Sequence, residues 1–361
     1  MIEKIKKTAY RPSGKITDFL IITFLLSFLV FLLGDFIAML GYRLFDISGH
    51  LVRIIQDEDI VSFFQMYLDF WGVWAAFFLV ISVFKNNRPM WKCLSFRRSG
   101  NSAPAILAGI LLGFGTNGFC ILMSFLLGDI KLSFNSFDPL LFFSFLLVVL
   151  IQSGGEEILD RCYLYQKLRR RYRSPLVAIF GNSLFFMGLH LFNNGISILA
   201  IVDLFLTGIL FSMFVYYYDS LWCAILFHTC WNFSQSIAFG LPNSGLVSKY
   251  SLFRLDAASA RNGFFYTVDF GVEGSWGSVL VQAAVLAAIL ILNRGRGEKE
   301  DLWKQMEIES VEEVIPRSGP AGWRGPLPHF GRPCPAARGR RGASAGPSGR
   351  TAGRPRRCPR S

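Results

Sequence analysis

The sequence predicts an all-α, polytopic membrane helix bundle of about eight transmembrane helices, with the N- and C-termini cytoplasmic. The 361-residue chain is 52% apolar and contains 36 phenylalanines. Its apolar residues gather in runs of about 20, which a soluble core would not need. Lys and Arg segregate to alternate loops, the pattern that fixes orientation in a bilayer.

The spans fall at roughly 17–41, 62–84, 103–128, 139–158, 174–193, 196–218, 220–240 and 275–293. Lys4, Lys6, Lys7, Arg11 and Lys15 precede the first, as in the charged start of a signal peptide. Its apolar run is too long for an ordinary signal core, and no small-x-small cleavage site follows. It is therefore read as an uncleaved signal-anchor helix. Residues 1–16 form a basic cytoplasmic N-terminus and residues 17–138 a three-span scaffold. Residues 139–240 carry the polar motifs, 241–293 an outer loop with the last span, and 294–361 a cytoplasmic tail. The outer loop, 241–274, is long enough to fold over the bundle.

With the N-terminus inside, the inner loops hold twenty Lys and Arg, among them all six from Arg161 to Arg173, against six on the outer side. Of the net +12, eleven charges are arginines between Arg317 and Ser361, a stretch without lysine or acid, which leaves the body at +1. Residues 316–361 also contain nine prolines and nine glycines. Lacking apolar periodicity, they do not repay the entropy of ordering and are expected to be disordered. Attraction to anionic lipid or nucleic acid is one reading of this tail; a dispensable extension is the favoured one. The seven cysteines show no CxxC pair, so neither a disulfide framework nor a cysteine metal site is supported.

The chemistry-bearing residues sit at the ends of apolar runs. In Glu156-Glu157-Ile158-Leu159-Asp160-Arg161, Glu157 and Arg161 are one helical turn apart, acid first, the favourable order for an ion pair. Glu156 is turned about 100° away and is left free to act as a base. The alternative is a solvated helix end, completed by Lys167, Arg169, Arg170 and Arg171. Phe186 and His190 share a helical face, as do His228 and Asn232. An imidazole beside an amide donor suits stabilisation of a developing oxyanion. Two histidines and a carboxylate also match a His₂Glu zinc set, although the H-E-x-x-H motif is absent. A divalent metal such as zinc stays open, with its ligands unassigned.

In order and spacing these motifs resemble the CPBP family of intramembrane proteases, which includes the CaaX prenyl endopeptidases of the Rce type and bacterial Abi-like proteins. E-E-x-x-x-R is matched by Glu156, Glu157 and Arg161, F-x-x-x-H by Phe186 and His190, and H-x-x-x-N by His228 and Asn232. The resemblance implies an intramembrane endopeptidase in which Glu156 activates water and Glu157 with Arg161 tunes or supports it. His190 would assist or ligate, and His228 with Asn232 would stabilise the oxyanion. It also implies a membrane-anchored or amphipathic peptide or protein substrate, the lipid bilayer as partner, and no specific nucleic acid. Localisation is read as integral and multi-pass, in a bacterial plasma membrane. Asp160 and Cys162 depart from the family, in which an aromatic residue and a glycine are common at those places.

Straight helices with these boundaries put Glu156 near the inner face and His190 near the outer one. Bringing them together requires the fourth span to continue past Arg161, the fifth to begin deeper, or a buried turn at Asn193-Asn194-Gly195. Two other function classes compete: a non-catalytic immunity or accessory protein, and a transporter using Asn182, Asp203 and Thr207. Those three residues equally suit interhelical hydrogen bonds.

Overall fold

The computed structural model describes residues 9–97 and 100–305. The first eight residues of the basic start and the Arg-rich tail at 316–361, with Cys334 and Cys358, lie outside the described residues. The chain opens with helix α1 (Leu20–Phe45), then α2 (Ile47–Ile55), α3 (Glu58–Leu68), α4 (Trp71–Val83) and α5 (Ala103–Leu126). Next come α6 (Pro139–Glu157), a π-helical stretch Ile158–Leu164 and α7 (Tyr165–Arg171). Helices α8 (Pro175–Leu189), α9 (Ile198–Tyr218), α10 (Leu221–Phe233) and α11 (Trp276–Leu292) complete the bundle. One antiparallel ribbon pairs β1 (Leu132–Phe134) with β2 (Phe253–Leu255).

Local sequence explains the boundaries. Asp138 caps α6 by accepting from Leu141 N, with Pro139 at the first helical position, where its missing N–H costs nothing. Ser197, Ser220 and Ser275 cap α9, α10 and α11 through their side-chain oxygens, each satisfying a donor that the helix start leaves open. Among the described residues, five helical stretches are long and apolar enough to cross a membrane: 20–45, 58–83, 103–126, 139–171 and 198–218. Helices α8 and α11 are apolar but shorter. Large side chains such as Ile21, Leu25, Leu111 and Leu140 point outward, as a lipid-facing surface requires.

The main correction to the sequence reading concerns the fourth span. Its helix does not end at 158; the π-helical stretch carries it to Arg171, 33 residues in all. The charge run after Glu157 is not a solvated loop, because Arg161, Lys167, Arg169 and Arg170 are each at most 3% exposed. Their partners come from the segments just before α1 and just after α11. Asp18 bonds Arg170 and Lys167, while Glu298 and Asp301 hold Arg169. Arg11 joins Asp301, and Trp303 donates its indole N–H to Gln166 O at 2.8 Å.

This continuation levels the two motifs. Glu157 lies fourteen residues before Arg171 and His190 fifteen after Pro175. Both are therefore roughly 20 Å from the short turn between α7 and α8. Of the three requirements set by the sequence, the first is met. The turn at Asn193–Gly195 is half-exposed to exposed rather than buried.

Helix α10 is held against α5 by close backbone contact. A Cβ on Gly109 would lie 2.5 Å from Cys223 O, and one on Gly113 would lie 2.4 Å from Phe227 O. This small-xxx-small pair lets the backbones touch where apolar burial gives little between membrane helices. The polar groups weighed for transport bridge helices. Asp203 accepts from Ser278 Oγ, Gln282 Nε2 and Gly274 N, Thr207 donates to Gln282 Oε1, and Asn182 donates to Ser212 Oγ. Cys93, Cys120, Cys223 and Cys230 are free and buried, and Cys162, also buried, donates from Sγ to Met90 O at 3.4 Å.

Candidate active site

The paired glutamates at the end of α6 have different surroundings. Glu157 is fully buried and accepts from Arg161 Nη1 at 3.1 Å and from His228 Nδ1 at 3.0 Å. Because Arg161 holds Glu157 as an acceptor, His228 Nδ1 is the donor in this pair, and Nε2 is turned the other way. That nitrogen lies 3.7 Å from Glu156 Oε2. Glu156 faces a cavity, and its Oε1 accepts from Gln152 Nε2 at 2.6 Å. Its Oε2 has no hydrogen-bond partner.

Gln152 was not anticipated from the sequence. It lies one turn before Glu156 on the same face, and its carbonyl oxygen accepts from Asn232 Nδ2 at 3.2 Å and Ser153 Oγ at 3.1 Å. A hydrogen-bonded chain thus runs from Asn232 through Gln152 to Glu156. One amide hydrogen of Asn232 is used in it, and the other is left for a ligand.

Arg161 is packed behind these groups. Its guanidinium lies 4.7 Å from the Phe186 ring centre and 5.2 Å from that of Phe211, an arrangement favourable for a desolvated cation. Its Nη1 also reaches Asp160 Oδ2 at 3.2 Å and its Nη2 the Gly208 carbonyl at 3.4 Å. His190 caps α8 with Nδ1 at 2.9 Å from Phe186 O and lines the same cavity as Glu156. The phenylalanine of that motif touches both histidines, with ring centres 4.8 Å from His190 and 5.9 Å from His228.

The cavity has a volume of about 470 Å³. Of the six residues singled out by sequence, Glu156, His190, His228 and Asn232 line it, while Glu157 and Arg161 lie behind its wall. The segment between α10 and α11 adds Asn243, Ser244 and Glu273 to the lining. Glu273 accepts from Trp231 Nε1 at 3.0 Å, Ser244 N at 2.9 Å and Ser244 Oγ at 2.6 Å. Burial raises its carboxyl above the usual range, against the pull of Ser244, His190, His228 and Trp231. Nothing in the spacing of Glu273 pointed to it, since it follows Asn232 by forty-one residues.

Among the described residues, no three His, Cys, Asp or Glu side chains are grouped to hold a metal ion. Both ring nitrogens of His228 already face carboxylates. The His₂Glu zinc set is not assembled in this arrangement, and no step below is routed through a metal.

Residues 138–234 match the Rce1-like family, described as type II CAAX prenyl endopeptidase Rce1-like. The match is consistent with the CPBP resemblance carried by the three motifs and covers all of them. No curated protein and no solved structure matches the chain.

Proposed function

We propose that this chain is an integral-membrane endopeptidase that hydrolyses a peptide bond in a membrane-associated protein or peptide, with Glu156 as general base. The reading rests on one observation: Glu156, whose Oε2 has no hydrogen-bond partner, lines a cavity that His228 and Asn232 also line. The family match supports the same activity class.

In this reading a water molecule held by the Glu156 carboxylate attacks the peptide carbonyl carbon. Its proton passes to Glu156 as the C–O bond forms. The tetrahedral oxyanion accepts hydrogen bonds from the remaining Asn232 amide hydrogen and from the Nε2–H of a doubly protonated His228, whose Nδ1–H stays on Glu157. Glu156 then returns the proton to the departing amine as the C–N bond breaks, so no covalent acyl intermediate is needed. His190 assists from the α8 side. Gln152 fixes Glu156 in its rotamer, and Glu157 with Arg161 fixes the orientation of the His228 ring. A divalent metal is the alternative chemistry, and it is separable: loss of activity on chelation, restored by zinc, would overturn the metal-free scheme.

We further propose eight crossings of the plasma membrane, with both ends on the inner side. The N-terminal residues Arg11 and Asp18 and the C-terminal residues Glu298 and Asp301 all pair near α7. A chain that starts and finishes at one face crosses an even number of times. The five long helices do not satisfy this; adding α8, α11, and α10 with its π-helical extension Ser234–Ala238 does.

The test compares newly formed peptide termini in membranes of cells expressing wild type or Glu156→Gln. Termini present only with wild type are expected. Identical profiles, with both proteins well expressed, would favour a non-catalytic immunity or accessory role instead.

A further inference from the structure

Glu273 lines the cavity but has no part in the scheme above. It is 8% exposed and belongs to the segment between α10 and α11, beyond the residues that the family match covers. Its Oε1 accepts from Trp231 Nε1 on α10, and its Oε2 accepts from both Ser244 N and Ser244 Oγ. Only a carboxylate can take all three bonds, since a glutamine here would turn its NH₂ toward one of the donors. The next residue, Gly274, donates its N–H to Asp203 on α9 at 3.2 Å. Two consecutive residues thus fasten the outer segment to α10 and α9.

The partner of Glu273 sits in a strained turn. Asn243 N donates to Leu246 O at 2.8 Å and Leu246 N to Asn243 O at 3.0 Å. The two central residues, Ser244 and Gly245, have φ of 49° and 84°, a form that prefers Asn, Asp or Gly. Serine is unfavourable there, and such strain persists only where the surroundings hold it. Gly245 is needed for a close approach, because a Cβ would lie 2.1 Å from Asn194 O. Asn193 Nδ2 also donates to Ser244 O at 3.1 Å. The tip therefore spans from the turn after His190 to Trp231, the residue before Asn232. Asn243, Ser244 and Leu246 line the cavity there.

We propose that the tip Asn243–Leu246 is a substrate-binding wall of the cavity and that Glu273 is the positioning residue that holds it. A turn kept only by its own two backbone bonds would sample other conformations, and the entropy of ordering it would weaken binding. Held in advance, it adds affinity without touching the reacting atoms. The clamp itself stands on geometry, whereas its service to a substrate rests on the protease reading.

Hydrogen exchange of the full-length protein in detergent, followed by mass spectrometry, reads the clamp without any substrate. Glu273→Gln should speed exchange over residues 241–248 about tenfold or more, the scale of a lost charge-assisted bond, with α5 and α6 unchanged. If that variant fails to fold, Ser244 provides the same test with the carboxylate in place. Ser244→Gly keeps the N–H and takes the positive φ freely, so exchange should stay within about threefold of wild type. Ser244→Val, branched and without a hydroxyl, should speed it about tenfold or more. Unchanged exchange in folded Glu273→Gln, or equal exchange in the two Ser244 variants, overturns the clamp. Kinetics then read its purpose. On a peptide spanning the bond found by the termini comparison, Glu273→Gln should raise KM about tenfold and hold kcat within about threefold. A fall in kcat at unchanged KM overturns the positioning role. Absence of wild-type termini would remove the protease reading and the wall's service with it, while exchange alone still decides the clamp.

Discussion

At the scale of single residues, two adjacent glutamates carry opposite duties, and one geometric fact separates them. The i,i+4 spacing ties Glu157 to Arg161, which leaves Glu156 turned toward open space. Glu157→Gln would remove half of a fully buried ion pair and weaken the anchor of His228. We expect a loss of about 3–5 kcal/mol of stability, because a buried charge loses its compensation. It should be visible as a clear drop in melting temperature in detergent. Glu156→Gln should melt like wild type and lose about 10²- to 10⁴-fold in cleavage rate, the span of a general base. The reverse pattern would exchange the two roles. This division was legible in the sequence because it follows from helical periodicity alone. Gln152 and Glu273 were not: a glutamine in an apolar run reads as packing, and Glu273 reaches the cavity only because the segment after α10 folds back over it.

At the scale of elements, the motif helices are placed by features that look unremarkable as sequence. The run from Arg161 to Arg173 has the composition of a solvated loop, and only acids from distant parts of the chain make it an interior helix. That continuation, through the π-helical stretch, brings Glu156 level with His190. Helix α10 depends in turn on Gly109 and Gly113 of α5, where no side chain fits beneath the Cys223 and Phe227 carbonyls. Phe227 immediately precedes His228, so a change there moves the imidazole. Gly113→Val should cost about 1–3 kcal/mol by overpacking and lower cleavage along with melting temperature. Gly115→Val, on the same helix but with open space at its Cβ, should change neither. Equal tolerance of both substitutions would show that the crossing does not position the site.

At the scale of the whole molecule, a helical bundle with several membrane-long apolar helices could be read from the sequence, whereas the union of the segments before α1 and after α11 at α7 could not. Asp18 shows what that union is worth. Burial alone would raise its carboxyl, but the Arg170 hydrogen bonds and charge, with Lys167, outweigh it and hold Asp18 below its ordinary 3.8. A carboxyl lowered on folding adds stability that is full above its unfolded value and is lost as pH falls through the folded one. Melting temperature should therefore decline below about pH 4, and Asp18→Asn should flatten that part of the decline while lowering stability at neutral pH. The same union fixes topology. Lys15 and Lys299 are exposed at the end of the molecule where α7 finishes, and Arg254 is exposed in the segment between α10 and α11. With Cys334 and Cys358 changed to Ser, single cysteines at these three positions can be probed with a membrane-impermeant maleimide. Lys15→Cys and Lys299→Cys should be silent in intact cells and labelled in inverted vesicles, and Arg254→Cys should behave in the opposite way. Labelling of Lys15→Cys and Lys299→Cys from opposite sides would require an odd number of crossings between them, and the ion pairs that join the segments before α1 and after α11 could not then exist within one folded chain.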